Sequence, residues 1–260
     1  MKKLFLLLFL TLTIGAKYGT EYYDWTVWVP EEVEDYIPKK SSFVKTSADK
    51  PKKSKKRKNK AQASKSKTLY GPQSLYDFTA KKSLTIHGPV NFENLVVKKD
   101  FTIHGPTWGE NAEVFGNMTN SGPLNVTHLS IGEKLTSLGP VSADDIVADT
   151  VEITGPANLS NAKANDLSVM GPLHLFSSDI KNVTIFIEIN DTFNPKKLTF
   201  SDVAIDTLII ESPKKVKIKI SDNSAIKSII FTKKAGKVIK EEGSVIDTLT
   251  NGSITEIEKD

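Results

Sequence analysis

The feature of this sequence that most constrains its fold is a Gly-Pro dipeptide that recurs seven times at nearly constant spacing. The steps between successive glycines are 17, 17, 17, 17, 16 and 16 residues. So regular a spacing indicates a chain built from stacked copies of one short structural unit. The seven glycines are Gly71, Gly88, Gly105, Gly122, Gly139, Gly155 and Gly171.

The apolar residues of each unit fall in three pairs of columns when the units are aligned on their glycines. Within each pair the spacing is two residues, which places both side chains on one face of a β-strand. A helix would need spacings of three and four, and it would not accept a proline in every unit. In the unit that begins at Gly88 the three pairs are Val90 and Phe92, Leu95 and Val97, and Phe101 and Ile103.

The corners between the strands are also visible in the sequence. Glycine lets the chain bend, and proline lacks the N–H that a continuous ladder would use. Six residues after each glycine stands a polar residue of a type that tolerates left-handed backbone. Three short strands per unit close a triangular coil, and parallel pairing stacks successive coils about 4.8 Å apart. We therefore predict an all-β fold, a parallel β-solenoid with about 16–17 residues per turn, over residues 71–187.

The third Gly-Pro unit is expected to be the weakest turn. Its inward positions carry Thr107, Gly109, Ala112 and Asn120, where most other units have larger apolar side chains, and Trp108 stands at a position that is usually polar. We predict either a β-bulge in this turn or a neighbouring side chain that folds back to fill the space.

The spacing changes after residue 187. Position 188, where the repeat would place glycine, is Glu188, and residues 190–194 are predicted to form a loop. A looser repeat then begins, with Ile205, Ile226 and Ile246 at steps of 21 and 20. We predict that residues 188–260 form two to three wider coils that continue the stack, closed by a polar tail at 250–260.

The first 70 residues differ in composition from the repeats. Residues 1–16 have a Lys-led apolar run too short to span a bilayer and are predicted to be a secretory signal, so we expect export to a periplasm, a cell surface or the medium. No later stretch is long enough for a transmembrane helix. Residues 39–70 form a basic linker expected to be disordered, because its lysine-rich run cannot bury a core.

The segment 17–38 is acidic and aromatic. Its residues 22–29 have strand propensity and include Trp25 and Trp28. Two interpretations remain open, a cap over an exposed end of the solenoid and a docking motif for a partner.

No catalytic or metal-binding constellation is evident. The chain has no cysteine and four histidines, which excludes thiolate sites. His87 and His104 fall in one column, but no third ligand follows them. An acidic group at Asp144, Asp145 and Asp149 would suit polysaccharide chemistry, but the repeats contain no insertions that could build a cleft. We therefore expect no enzymatic activity, no cofactor, no metal and no small-molecule substrate.

Lysines recur in step with the wider coils. Stacking would gather them in a basic stripe, a potential contact for an anionic cell-envelope polymer, although solvated outward faces explain the lysines more simply. The candidate contact residues are Lys214, Lys215, Lys233 and Lys234.

The short, insertion-free triangular coil with flanking tails resembles the bactofilins, a family of polymerising bacterial proteins with a compact β-solenoid. The resemblance implies a structural role and self-association through the ends of the coil. Two functions therefore stay open. The first is an exported structural or surface-interaction protein, and the alternative is an exported carbohydrate-binding or carbohydrate-degrading β-helix protein.

Overall fold

The computed structural model describes residues 66–187 and 198–258. In these residues the chain forms 22 strands and no helix, wound into about 11 turns of a parallel β-solenoid, which confirms the predicted fold class. The strands are β1 (Lys67–Tyr70), β2 (Gln73–Ala80), β3 (Leu84–His87), β4 (Val90–Val97), β5 (Phe101–His104), β6 (Thr107–Val114), β7 (Met118–Asn120), β8 (Leu124–Ile131), β9 (Lys134–Leu138), β10 (Val141–Val147), β11 (Thr150–Thr154), β12 (Ala157–Ser160), β13 (Lys163–Met170), β14 (Leu173–Phe176), β15 (Asp179–Phe186), β16 (Leu198–Ser201), β17 (Ala204–Glu211), β18 (Lys217–Ser221), β19 (Ala225–Phe231), β20 (Gly236–Glu241), β21 (Val245–Thr250) and β22 (Gly252–Ile257).

Each turn has three faces, one for each pair of apolar columns. Face 1 follows the Gly-Pro corner, face 2 follows the polar corner, and face 3 leads to the next glycine. The sequence predicts three strands per turn, but faces 1 and 2 share one strand in the first turns, as in β4. The bend occurs at Asn94, whose φ of 55° turns the chain without ending the strand.

The corner through which a strand runs changes along the stack. In the early turns three residues separate faces 2 and 3, for example 98–100 between Val97 and Phe101. In the later turns only two residues remain, and β13 and β15 then run through this corner. Face 1 becomes a strand of its own there, as in β12 and β14.

The polar corner has left-handed backbone in every Gly-Pro turn, as the sequence predicts. All seven residues have φ between 44° and 58°, a conformation that short polar side chains tolerate better than most others. Their side chains also bond between turns, since Asn94 Nδ2 donates to Asp77 Oδ1 at 2.9 Å. The seven residues are Asp77, Asn94, Asn111, His128, Asp145, Asn161 and Ser177.

The Gly-Pro corners stack directly on one another. A Cβ added at any of the last six glycines would lie 2.5–2.8 Å from the carbonyl oxygen of the glycine in the preceding turn. The Gly88 N–H donates to the His104 carbonyl at 3.0 Å, and the Pro89 carbonyl accepts from the Gln73 N–H at 3.0 Å. Pairing across the corner therefore uses no proline N–H, and the close approach of successive turns admits only glycine.

The corner between faces 2 and 3 has its own polar contacts. The Asn117 backbone N–H donates to Asp100 Oδ1 at 3.1 Å, and this bond lowers the pKa of the Asp100 carboxyl. The Ser83 hydroxyl lies 3.3 Å from Asp100 Oδ2. The Asp100 carboxylate therefore accepts hydrogen bonds from the turn before its own and from the turn after it.

One continuous apolar core runs along the axis, from Leu75 to Val238. The inward columns predicted from the sequence supply it, and Phe92, Phe101 and Phe200 are among its largest buried side chains. Packing of like columns on one another accounts for this continuity, because each strand pairs in register with the strand one turn away.

In the third turn, a side chain from the preceding turn fills the space that the small inward residues leave, which is one of the two predicted outcomes. A Cβ on Gly109 would lie 2.2 Å from the Phe92 ring, so that ring occupies the space left by the missing side chain. The alternative prediction of a β-bulge is wrong, since β6 pairs residue for residue with β4 and β8. The buried polar residues satisfy each other, because the Thr107 hydroxyl donates to Asn120 Oδ1 at 2.8 Å.

The wider coils continue the same stack. Ile205, Ile226 and Ile246 lie in register in β17, β19 and β21, as the looser repeat predicts. The predicted loop at 190–194 lies outside the described residues. The predicted polar tail is wrong in part, because β22 lies within it and pairs with β20.

The stack begins before the first Gly-Pro corner. β1 pairs with β3 in parallel and lies in the last residues of the segment assigned to the basic linker. Its sequence, Lys-Thr-Leu-Tyr, has the same alternation as β3 and β5, with Leu69 opposite Ile86 on the inward side.

Candidate interaction surfaces

A groove of about 440 Å³ runs over face 1 of the first four turns. Its two walls are ladders of outward side chains, two residues apart along each strand and therefore about 7 Å apart. One wall contains Asn91, Trp108 and Asn125, and the other contains Tyr76, Glu93, Glu110 and Thr127. The floor is formed by Phe92, Gly109 and Val126.

This groove is not predictable from the sequence alone. Its single signal was Trp108, a large aromatic residue in an outward column that otherwise holds Ser, Asn and His. The groove becomes visible only when the register places Glu93 beside Glu110 and Asn91 beside Trp108.

The two stacked histidines belong to an aromatic ladder. The rings of His87 and His104 lie 4.8 Å apart with an interplanar angle of 19°, and Tyr70 stacks on His87 at 5.0 Å. Within residues 66–187 and 198–258, no group of three or more His, Asp or Glu side chains is arranged to hold a metal ion.

The acidic group lies at two different corners rather than in one cluster. Asp144 accepts from Asn161 Nδ2 at 2.8 Å, and Asp145 Oδ2 lies 3.8 Å from His128 Nε2 at the polar corner. Asp149 lies at the corner between faces 2 and 3, where it accepts from Asn165. A whole face separates Asp149 from the other two carboxylates, so the structure does not bring the three together.

The predicted lysine contacts lie on one edge of the wider coils. Lys214 and Lys215 occupy the corner between β17 and β18, and Lys233 and Lys234 the corresponding corner one turn later. Lys233 Nζ lies 3.2 Å from Glu211 Oε2. The structure therefore brings the four lysines together and places an acid beside one of them.

The C-terminal end of the described stack exposes its core. Ile254 stacks on Val238, which is 0% exposed, but Ile254 itself is 44% exposed. In the part of the chain that the structure describes, no strand pairs with the outer edges of β21 and β22. This end therefore presents unpaired backbone beside apolar side chains.

The N-terminal end of the stack is similar. Leu69 and Phe78 are only partly buried against the core, and Lys67 Nζ lies 4.7 Å from the centre of the Phe78 ring. Within the described ranges the outer edges of β1 and β2 pair with no strand. Trp25, Trp28 and the proposed cap at 22–29 lie outside the described residues.

A column of alternating charge runs along face 2 to the C-terminal end. Asp206, Lys227 and Asp247 follow Ile205, Ile226 and Ile246 in successive turns. Lys227 Nζ lies 2.5 Å from Asp206 Oδ1, and this contact raises the pKa of Lys227, with a smaller contribution from Asp247. The column ends on an acid.

Comparisons with protein-family models, curated proteins and solved structures each found no match to this chain. Over residues 66–187 and 198–258 there is no helix of the length and apolarity needed to cross a membrane.

Proposed function

We propose that this chain is an exported, non-catalytic structural or surface-interaction protein whose solenoids associate end to end. The observation that carries the proposal is that no strand within residues 66–187 and 198–258 pairs with the outer edge at either end of the stack. Each end has an unpaired parallel edge and partly exposed core residues, Leu69 and Phe78 at one and Ile254 at the other. A second copy could satisfy both, because strand edges pair readily with other strand edges.

The charges of the two ends are complementary. β21 and β22 contain Asp247 and Glu256 and no base, and Glu256 already pairs with Lys240. The first described turn carries Lys67, Lys81 and Lys82 against one acid. Opposite signs favour head-to-tail contact over head-to-head or tail-to-tail contact.

The column register identifies one pair of opposite charges that end-to-end association would bring near each other. Ala80 and Ile246 belong to the same inward column, and Lys81 and Asp247 follow them directly. An incoming copy that continues the stack in register would seat β1 on the second half of β21 and the first half of β2 on β22, so its Lys81 would lie two strand spacings, about 10 Å, from Asp247. A lysine would then be the next charge beyond the acid that ends this column.

Two sequence observations support the rest of the proposal. Residues 1–16 have the pattern of a secretory signal, so the exported protein would begin near Lys17, which mass spectrometry of the mature chain can check. The architectural resemblance to the bactofilins, which polymerise, supports assembly by analogy.

Charge reversal tests the proposed proximity of these two charges. In the full-length mature chain at low ionic strength, Asp247→Lys is expected to lower the end-to-end association constant about threefold, because an attraction between two exposed charges about 10 Å apart becomes a repulsion. Adding Lys81→Asp to the same chain is expected to restore association, because the pair is then reversed. Sedimentation velocity and negative-stain electron microscopy measure the assemblies.

Glu113→Lys is the matched control, because Glu113 is an exposed acid in the third turn, inside the stack rather than at an end. A wild-type chain that stays monomeric up to its solubility limit would contradict end-to-end association. Association that responds equally to Glu113→Lys and Asp247→Lys would contradict the register, as would a double variant that stays as weak as Asp247→Lys.

The alternative of a carbohydrate-degrading protein loses its proposed acidic site, since Asp149 lies across a whole face from Asp144 and Asp145. Carbohydrate binding is favoured by a different observation, the groove beside Trp108.

A further inference from the structure

We propose that the groove on face 1 of the first four turns binds an extended β-linked glycan chain. The groove lies on the side of the stack and uses neither end. The inference therefore deepens the surface-interaction role in the proposed function, but it does not depend on end-to-end association.

Trp108 supplies the flat apolar surface that a sugar ring requires. It is half-buried in β6 with its side chain on the outward face, between Asn91 and Asn125 in the neighbouring turns. An indole combines a large apolar face with one N–H donor, so it contacts the C–H face of a pyranose and leaves the ring hydroxyls to polar neighbours. Tyr76 adds a second exposed ring at the end of the opposite wall.

The polar side chains of the groove match hydroxyl groups. The amides of Asn91 and Asn125 each offer donors and an acceptor, while the carboxylates of Glu93 and Glu110 only accept. A sugar hydroxyl both donates and accepts, so it can bond to both walls. A purely cationic ligand would use the acceptors and leave the amide donors unpaired.

Glu93 and Glu110 are available for such bonds. They stand in register on β4 and β6, about one strand spacing of 4.8 Å apart. In the described part of the chain neither carboxylate has an ion pair or a hydrogen bond to another side chain. Hydrogen bonds to a charged acceptor are stronger than neutral ones, so each free carboxylate is a favourable partner for a hydroxyl.

The shape of the groove favours a polymer over an isolated small molecule. The lining residues come from four successive turns, and the walls run parallel to the solenoid axis. Small-molecule sites are usually enclosed concave pockets. This groove is open to solvent, and only two ladders of outward side chains border it. A glycan chain lying along the axis would place successive sugars over successive rungs of the sheet.

Tryptophan fluorescence can measure the binding directly. The chain has three tryptophans, and replacing Trp25 and Trp28 with phenylalanine leaves Trp108 as the single reporter. In this full-length background we expect cellohexaose or chitohexaose to change the Trp108 emission saturably. Isothermal titration with the unmodified chain and its variants supplies affinities that do not depend on the reporter.

Variants of both walls are expected to lose affinity. Trp108→Ala is expected to weaken binding about tenfold, as for a central aromatic contact. The pair Glu93→Gln and Glu110→Gln is expected to weaken it several-fold, since neutral acceptors form weaker bonds. Phe176→Ala, an exposed aromatic residue on face 1 of a later turn, and Glu113→Gln, an exposed acid on β6 outside the groove, are matched controls expected to bind normally.

Several results would overturn the proposal. These are the absence of saturable binding by both hexasaccharides, equal losses in Phe176→Ala and Trp108→Ala, and binding of oligolysine at Glu93 and Glu110 with no glycan binding. The Asp247→Lys variant separates this proposal from the previous one, because it should bind glycan normally even if it no longer associates. Circular dichroism of each variant verifies that the solenoid is retained.

Discussion

Replacing Gly139 with alanine is expected to lower the free energy of unfolding by about 3 kcal/mol. The new Cβ would lie 2.6 Å from the carbonyl oxygen of Gly122 and 2.7 Å from its carbonyl carbon, neither of which can move without separating two turns. The φ of 152° lies in a backbone region that is essentially restricted to glycine and adds strain of about 1–3 kcal/mol, and overpacking against fixed atoms adds about 1–3 kcal/mol. Urea and thermal unfolding, followed by the β-sheet circular dichroism signal near about 218 nm, measure the loss of stability.

Gly71→Ala is the matched control for this prediction. Gly71 also has positive φ, 78°, but a Cβ there meets no atom within 4 Å, so only the strain of about 1–2 kcal/mol remains. Ser142→Ala, an outward change in the same turn as Gly139, controls for position in the stack. Equal losses at Gly139 and Gly71 would show that backbone strain acts alone and that the corners do not stack closely.

Removing the Phe92 ring is expected to change Gly109→Ala from a destabilising substitution to a neutral or stabilising one. Phe92→Ala alone should cost about 3–5 kcal/mol, because the side chain is 2% exposed and leaves a cavity. Gly109→Ala alone should cost about 1–3 kcal/mol, because its Cβ would lie 2.2 Å from the ring. In the Phe92→Ala background the same change at Gly109 should be neutral or stabilising by up to about 1 kcal/mol, since alanine is better than glycine within a strand and fills part of the cavity.

The double-mutant cycle of Phe92→Ala and Gly109→Ala is expected to give a coupling free energy of about 2 kcal/mol or more. Phe92→Leu provides a milder background if Phe92→Ala does not fold, and there the coupling should be smaller and of the same sign. The cycle Phe200→Ala with Gly109→Ala is the control, because Phe200 is as fully buried as Phe92 but lies in β16, several turns away from both residues. Additive losses in the Phe92 cycle would contradict the packing of that ring under Gly109.

The sequence predicts the parts of this fold that depend on one turn alone. The Gly-Pro corners, the left-handed residues such as Asn94 and the spacing of two within each apolar pair are local rules repeated in every unit. Stacking then follows, because identical columns can bury their apolar side chains only on one another. The wider coils are predicted less completely, since β22 has a largely exposed and polar sequence that resembles a tail.

The sequence does not predict features that arise between turns. Phe92 fills the space at Gly109 from the preceding turn, and the distance from a ring to a missing side chain depends on the register. The groove arises in the same way, since Glu93, Trp108 and Asn125 come from three different units. The acidic residues show the converse, because Asp145 and Asp149 are close in sequence but lie at different corners.

If the chain rises by one strand spacing for every Gly-Pro unit, the distance between two spin labels in one column depends only on the number of turns between them. The chain has no cysteine, so cysteines introduced at outward positions of a single column can be labelled specifically. Thr85, Glu152 and Thr184 lie in one such column, with four turns between the first two and six between the first and third.

At about 4.8 Å per turn the account predicts backbone separations of about 19 Å for Thr85 with Glu152 and about 29 Å for Thr85 with Thr184. Double electron–electron resonance on the two labelled pairs should give narrow distributions whose difference is about 10 Å, or two turns. Distances that do not increase with the number of turns, or broad distributions for both pairs, would contradict the stacked solenoid.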